Sequence, residues 1–139
     1  MIDKTAASGA KAPESEKITI NLGPVDLGQI DLLVAEGFYA NRTDFIRTAI
    51  RNQLGRHDDQ LRASVARREI ELGIRRYSRA DLEQVVASGE MLAIEVLGLA
   101  VIEHDVPADL ALAAIASIHV LGAFQASPAV KAALKPRIK

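Results

Sequence analysis

Residues 17–22, Lys17-Ile18-Thr19-Ile20-Asn21-Leu22, alternate polar and apolar side chains without a break. Alternation with a period of two puts Ile18, Ile20 and Leu22 on one face of a strand and Lys17, Thr19 and Asn21 on the other. β-Branched side chains at Ile18, Thr19 and Ile20 favour the same conformation. No partner strand stands nearby in the sequence. A lone strand leaves its backbone donors and acceptors unpaired and its apolar face covered by too little. The simplest remedy is a second copy of the chain that donates the same strand. Two such strands form a two-stranded antiparallel ribbon, with the apolar faces inward and three polar side chains per chain outward.

The next residues read as two short helices. Gly23-Pro24 ends the strand and opens a helix, proline being suited to the first helical position, and Asp26 complements the dipole of the first turn. Leu27, Ile30, Leu33 and Val34 form an apolar stripe, and Gly37 is a natural stop. Asn41 then caps a second helix with Asp44 three residues on. Its buried stripe is expected to be Phe45, Ile46, Ala49, Ile50 and Leu54, with Gly55 closing it.

Strand, helix and helix in this order, with Gly37-Phe38-Tyr39-Ala40-Asn41-Arg42-Thr43-Asp44-Phe45-Ile46-Arg47 and then Ala49-Ile50-Arg51, resemble the ribbon–helix–helix DNA-binding fold of Arc/MetJ/CopG-type repressors. The run Asn-Arg-Thr-Asp-x-Ile-Arg is similar to that family's Asn-Arg-Ser-Glu-x-Ile-Arg turn, and the likeness covers residues 17–55. It implies an intertwined homodimer whose ribbon enters the major groove of double-stranded DNA. Lys17, Thr19 and Asn21 would then meet base edges: Asn pairs bidentately with adenine, Lys reaches guanine acceptors, and Thr bonds or touches the thymine methyl. Asn41, Arg42 and Thr43, at the start of the second helix, would hold a phosphate through backbone N–H groups and side-chain donors.

A formal charge of −1, from 17 Lys+Arg and 18 Asp+Glu, looks wrong for a DNA-binding protein. The total conceals three unlike regions. Residues 1–79 carry 13 basic and 11 acidic side chains, residues 80–130 carry seven acids and no Lys or Arg, and residues 131–139 carry four bases and no acid. The shift near residue 80 marks a boundary with different partners on either side. The expected organisation is a flexible arm over 1–16, the ribbon–helix–helix unit over 17–56, a helical linker over 57–79 and a C-terminal domain over 80–139.

Within the linker, residues 58–69 read as a weakly amphipathic helix through Leu61 and Val65. Ser78 with Asp81 reads as a capping box for the next helix, in which Leu82, Val85 and Val86 pack before Gly89 ends it. Beyond Gly89, Ile94-Glu95-Val96-Leu97-Gly98 recurs 24 positions later as Ile118-His119-Val120-Leu121-Gly122. Apolar residues, then Pro107 or Pro128, then an Ala/Leu-rich helix follow each copy, and Ile70-Glu71-Leu72-Gly73 is a degenerate copy upstream. Strand and short helix at this period indicate a small solenoid-like repeat. The fold class expected is therefore α+β. So few repeats bury little by themselves, so chains are expected to associate further through this region.

No catalytic, cofactor or metal site is expected. The chain has no cysteine, and His57, His104 and His119 share no ligand spacing. Metal-responsive repressors of the family it resembles use several His and a Cys, so metal sensing is not expected. Glu103-His104-Asp105 reads as a polar turn. The most apolar stretch, residues 106–124, is interrupted by Pro107, Asp109 and His119, so no membrane span is expected and the location is read as cytoplasmic. The resulting expectation is a sequence-specific repressor, not an enzyme. An antitoxin of a toxin–antitoxin pair and a DNA-anchored polymerising scaffold share its N-terminal unit and differ in what the C-terminal part does.

Overall fold

A computed structural model describes residues 15–139. The arm expected over 1–16 lies, up to residue 14, outside the described residues. The chain divides into two compact units, one over Lys17–Ser64 and one that includes Val65–Lys139.

The first unit holds α1 (Pro24–Ala35), α2 (Arg42–Arg56) and the start of α3 (Asp58–Arg68). Helix α1 begins behind Gly23 with Pro24 in its first turn. It ends in a Schellman turn: the Phe38 N–H donates to the Leu33 carbonyl at 3.0 Å and the Gly37 N–H to Val34 at 3.1 Å. Gly37 sits at φ +86°, which a Cβ would strain, so the glycine is required by the turn. Gly55 does not close α2 as expected. The helix passes through it to Arg56 and is capped by His57, because an isolated glycine weakens a helix without stopping it when the backbone stays right-handed.

Burial in this unit is sparse. Ile30 is the one fully buried hydrophobic of α1, Phe45 and Ile46 are half-buried, and Ile50 and Leu54 are exposed. Residues 17–22 belong to no sheet, and Ile18 is 75% and Ile20 58% exposed. Strand structure is a property of pairs, and among the described residues no strand pairs with this segment.

The second unit is a three-stranded parallel sheet of β1 (Glu71–Tyr77), β2 (Leu92–Ile102) and β3 (Ile115–Gln125), in that spatial order. Each strand is followed by a helix: α4 (Arg79–Ala87), α5 (Ala108–Ala114) and α6 (Pro128–Leu134), with a closing 3-10 turn at Lys135–Arg137. The expected helical linker over 57–79 is thus corrected. Helix occupies it only to Arg68, and Glu71–Tyr77 is a strand, because its backbone pairs in parallel with residues 96–102 of β2 and Tyr77 is buried at its end.

The recurring pentapeptides lie side by side. Ile94 pairs with Ile118 and Gly98 with Gly122, and on the other side Gly73 pairs with Gly98. Leu82, Ile94, Val96, Ile102, Ile115, Ile118, Val130 and Leu134 are all buried to within 1–2% and form one core between the sheet and its helices. Each such side chain contributes about 2 kcal/mol on burial. The capping box expected at α4 is present. Asp81 N–H donates to Ser78 Oγ at 3.1 Å and the Ser78 N–H donates back to the Asp81 carboxylate at 2.9 Å, and Ser78, chiefly through that backbone N–H, holds the Asp81 carboxyl below its ordinary pKa. Val86, expected to pack, is 42% exposed, so α4 turns only Leu82 and Val85 inward. No described helix is long and apolar enough to cross a membrane.

Candidate nucleic-acid interface

The residues expected to touch DNA come from two places in the first unit. Lys17, Thr19 and Asn21 precede α1, and all three are exposed, as are the apolar side chains between them. Asn41, Arg42 and Thr43 form the entrance to α2. There Asn41 adopts an extended backbone and its Oδ1 accepts the Asp44 N–H at 2.8 Å. Asp44 in turn accepts the Ala40 N–H at 2.9 Å. By position the backbone N–H groups of Arg42 and Thr43 have no intrahelical acceptor and face out of the helix start, where an anion is favoured.

The turn between the helices is held in two ways. The Tyr39 and Phe45 rings meet edge to face with centroids 5.0 Å apart. Arg42 reaches back to α1, where its Nε and Nη2 donate to the two carboxylate oxygens of Asp31 at 2.7 and 2.8 Å. This fork-to-fork pair lowers the Asp31 pKa and raises that of Arg42, chiefly through the hydrogen bonds themselves. Two of the five guanidinium N–H groups are committed to Asp31, and three remain for a phosphate.

Asp31 is the residue that sequence reasoning missed. Opposite charges eleven positions apart are unremarkable along a chain. They meet because the turn at Gly37 brings the start of α2 within reach of α1, and the short connection between two helices was the available signal.

The second unit adds little to such a site. His119 Nδ1 lies 3.0 Å from a Glu95 carboxylate oxygen, joining β3 to β2 at the position where the repeats pair. Among the described residues no group of three or more His, Cys, Asp or Glu side chains is placed to hold a metal ion.

The sequence model of the Ribbon-Helix-Helix transcriptional regulator family matches residues 13–131, most of the chain and well into the second unit. No curated protein and no solved structure gave a match.

Proposed function

Because the chain belongs to the ribbon–helix–helix transcriptional regulator family, and so to a class of DNA-binding regulators that typically dimerise, we propose that it is a sequence-specific repressor working as an intertwined dimer. Two copies of residues 17–22 pair antiparallel and enter the major groove. Lys17, Thr19 and Asn21 read base edges there, while Asn41, Arg42 and Thr43 hold a phosphate on either side.

The observation that carries this reading is the exposure of Ile18, Ile20 and Leu22 beside a unit with almost no core. Burying about three such side chains per chain is worth several kcal/mol, and a second copy of the same strand satisfies both the apolar face and the unpaired backbone. The second unit joins dimers so that neighbouring half-sites fill together. Because residues 90–134 fold onto a buried core, a toxin-binding tail that orders only on its partner is the weaker account. In this reading the protein works in the cytoplasm on double-stranded DNA and needs no cofactor.

Operator binding measured against salt tests it. Asn21→Ala should relax sequence preference with little change in salt slope. Arg42→Ala should weaken binding to all sequences alike and reduce the slope by about one. Asp31→Asn separates the roles of Arg42: it frees the guanidinium and keeps the charge, so it should preserve the slope. Unchanged binding for Asn21→Ala and Arg42→Ala would discard the ribbon reading.

A further inference from the structure

The sheet of the second unit stops at β1, whose seven residues mix three charged side chains with exposed apolar ones. Leu72 is 72% and Ile74 51% exposed. They are the outermost members of two columns that cross the sheet, Leu72–Leu97–Leu121 and Ile74–Leu99–Ala123. Leu99, with a strand on each side, is only 6% exposed. Glu71, Arg75 and Arg76 put charge on this edge, but two large apolar side chains left exposed between them still offer a template for another strand. Among the described residues no strand lies against the side of β1 that faces away from β2.

The opposite edge has the complementary form. The outer side of β3 is met at Ile118 by the tail, through a parallel bridge to Ile138 and a 2.8 Å bond from the Lys139 N–H to the Ile118 carbonyl. Beyond it, among the described residues, Val120–Gln125 have no strand on that side, and Leu121 is 42% exposed. Residues 71–77 register with 96–102, and residues 96–101 with 120–125, so this open edge spans nearly the length of β1.

The backbone adds a register. Gly73, Gly98 and Gly122 stand in one row, all at φ between +125° and +137°. At Gly98 the reason is a close approach: an added Cβ would lie 2.2 Å from the Gly73 carbonyl oxygen, and at Gly122 it would lie 2.1 Å from that of Gly98. Gly73 keeps the same unusual conformation with nothing within 4 Å of that position. The contact that accompanies this conformation in β2 and β3 is missing in β1.

We propose that the missing neighbour is a second copy of this chain: β1 of one copy pairs in parallel with β3 of the next, Gly73 against Gly122 and Leu72 against Leu121. Pairing of β1 with another β1 across a two-fold axis does not continue the glycine row, because each carbonyl in that row meets the following strand in one direction only. The contact is therefore head-to-tail, and it links ribbon dimers into longer arrays. It specifies the self-association of the proposed function and does not depend on how the ribbon reads DNA.

The absence of native cysteine makes the test direct. Neighbouring strands place paired Cα atoms about 4.8 Å apart, within disulfide reach, whereas residues two strands apart, at about 10 Å, are beyond it. Full-length chains carrying Glu71→Cys or Val120→Cys should each remain uncrosslinked alone and form a mixed disulfide when combined and oxidised. Leu72→Cys with Leu121→Cys, both at exposed positions, should behave in the same way and guards against a folding defect from Val120→Cys. Sedimentation of the unmodified chain should show species growing past the dimer as concentration rises. Leu72→Glu should push that growth to at least about tenfold higher concentration, since it sets an unpaired charge into the leucine column, and should leave binding to a single half-site unchanged.

A chain that stays dimeric at all concentrations overturns the proposal. So does a mixed disulfide from the Leu72/Leu121 pair only, with correctly folded Val120→Cys protein, since that indicates face-to-face packing. Loss of half-site binding with arrays intact would instead count against the ribbon reading alone.

Discussion

The two units spend their apolar residues in opposite ways. The second unit closes a core around Ile94, Ile118, Leu82 and Leu134, each almost fully buried within a single chain. In the first unit Ile30 alone reaches that state, while Ile18, Ile20, Leu32, Phe38, Ile50 and Leu54 remain exposed. The second unit is also the more apolar of the two, and topology adds to that difference. Three consecutive strand–helix units can cover one another, whereas one strand and two short helices cannot. In the proposed dimer the first unit's stability is tied to a partner, whereas the second unit's core closes within one chain.

The sharpest way to break this contrast is Gly98→Ala. The new Cβ falls on the Gly73 carbonyl, which is backbone and cannot swing aside, in a conformation that alanine resists. Steric overlap and strain together should cost about 3 kcal/mol or more. Chemical denaturation followed by circular dichroism should show the sheet's transition lost or strongly shifted, with the helical signal of the first unit retained.

Ile20→Lys probes the other side of the comparison. In a lone chain this residue is 58% exposed and the change should matter little. In a paired ribbon it removes about 2 kcal/mol of burial per chain, enough to weaken the dimer by about three orders of magnitude. Dilution monitored by sedimentation or fluorescence anisotropy would reveal it, and an unaltered dimer would show that the ribbon is not the interface.

The smallest effect is expected at the Asp31–Arg42 pair, whose side chains are both about half exposed, at 47% and 54%. The Asp31 pKa is lowered from the ordinary 3.8 by its bonds to Arg42. Such a group stabilises the fold fully above the ordinary carboxylate value, and the contribution fades as pH falls through the lowered one. Asp31→Asn should therefore reduce the acid sensitivity of the first unit below about pH 4 and leave its stability near neutrality little changed. Acid titration of the helical signal measures this, and high salt should mask it.

Much of the molecule was legible beforehand because it rests on local chemistry. The Gly23-Pro24 start of α1, the Gly37 stop, the Asn41 cap and the Ser78–Asp81 box are each set by a few neighbouring residues. The 24-residue recurrence was visible for a related reason, since strands that pair in one register are selected for the same residues at the same places. The strand at Glu71–Tyr77 was hidden inside a basic stretch, with only Ile70-Glu71-Leu72-Gly73 to mark it. Its Arg75 and Arg76 suit a solvated helix as well as a sheet edge. Of the candidate interface, the capping role of Asn41 could be read directly, but the Asp31 partner of Arg42 could not.

By itself, then, the sequence determined where several helices begin, which faces are apolar, and that residues 17–22 alternate like a strand. Those are properties of spacing and of single side chains. Tertiary structure decided that Glu71–Tyr77 joins the sheet, that Asp31 and Arg42 meet, and that three glycines stand in one row with an open position at its end. These depend on which strands and helices lie beside each other, and no local pattern of residues carries that information.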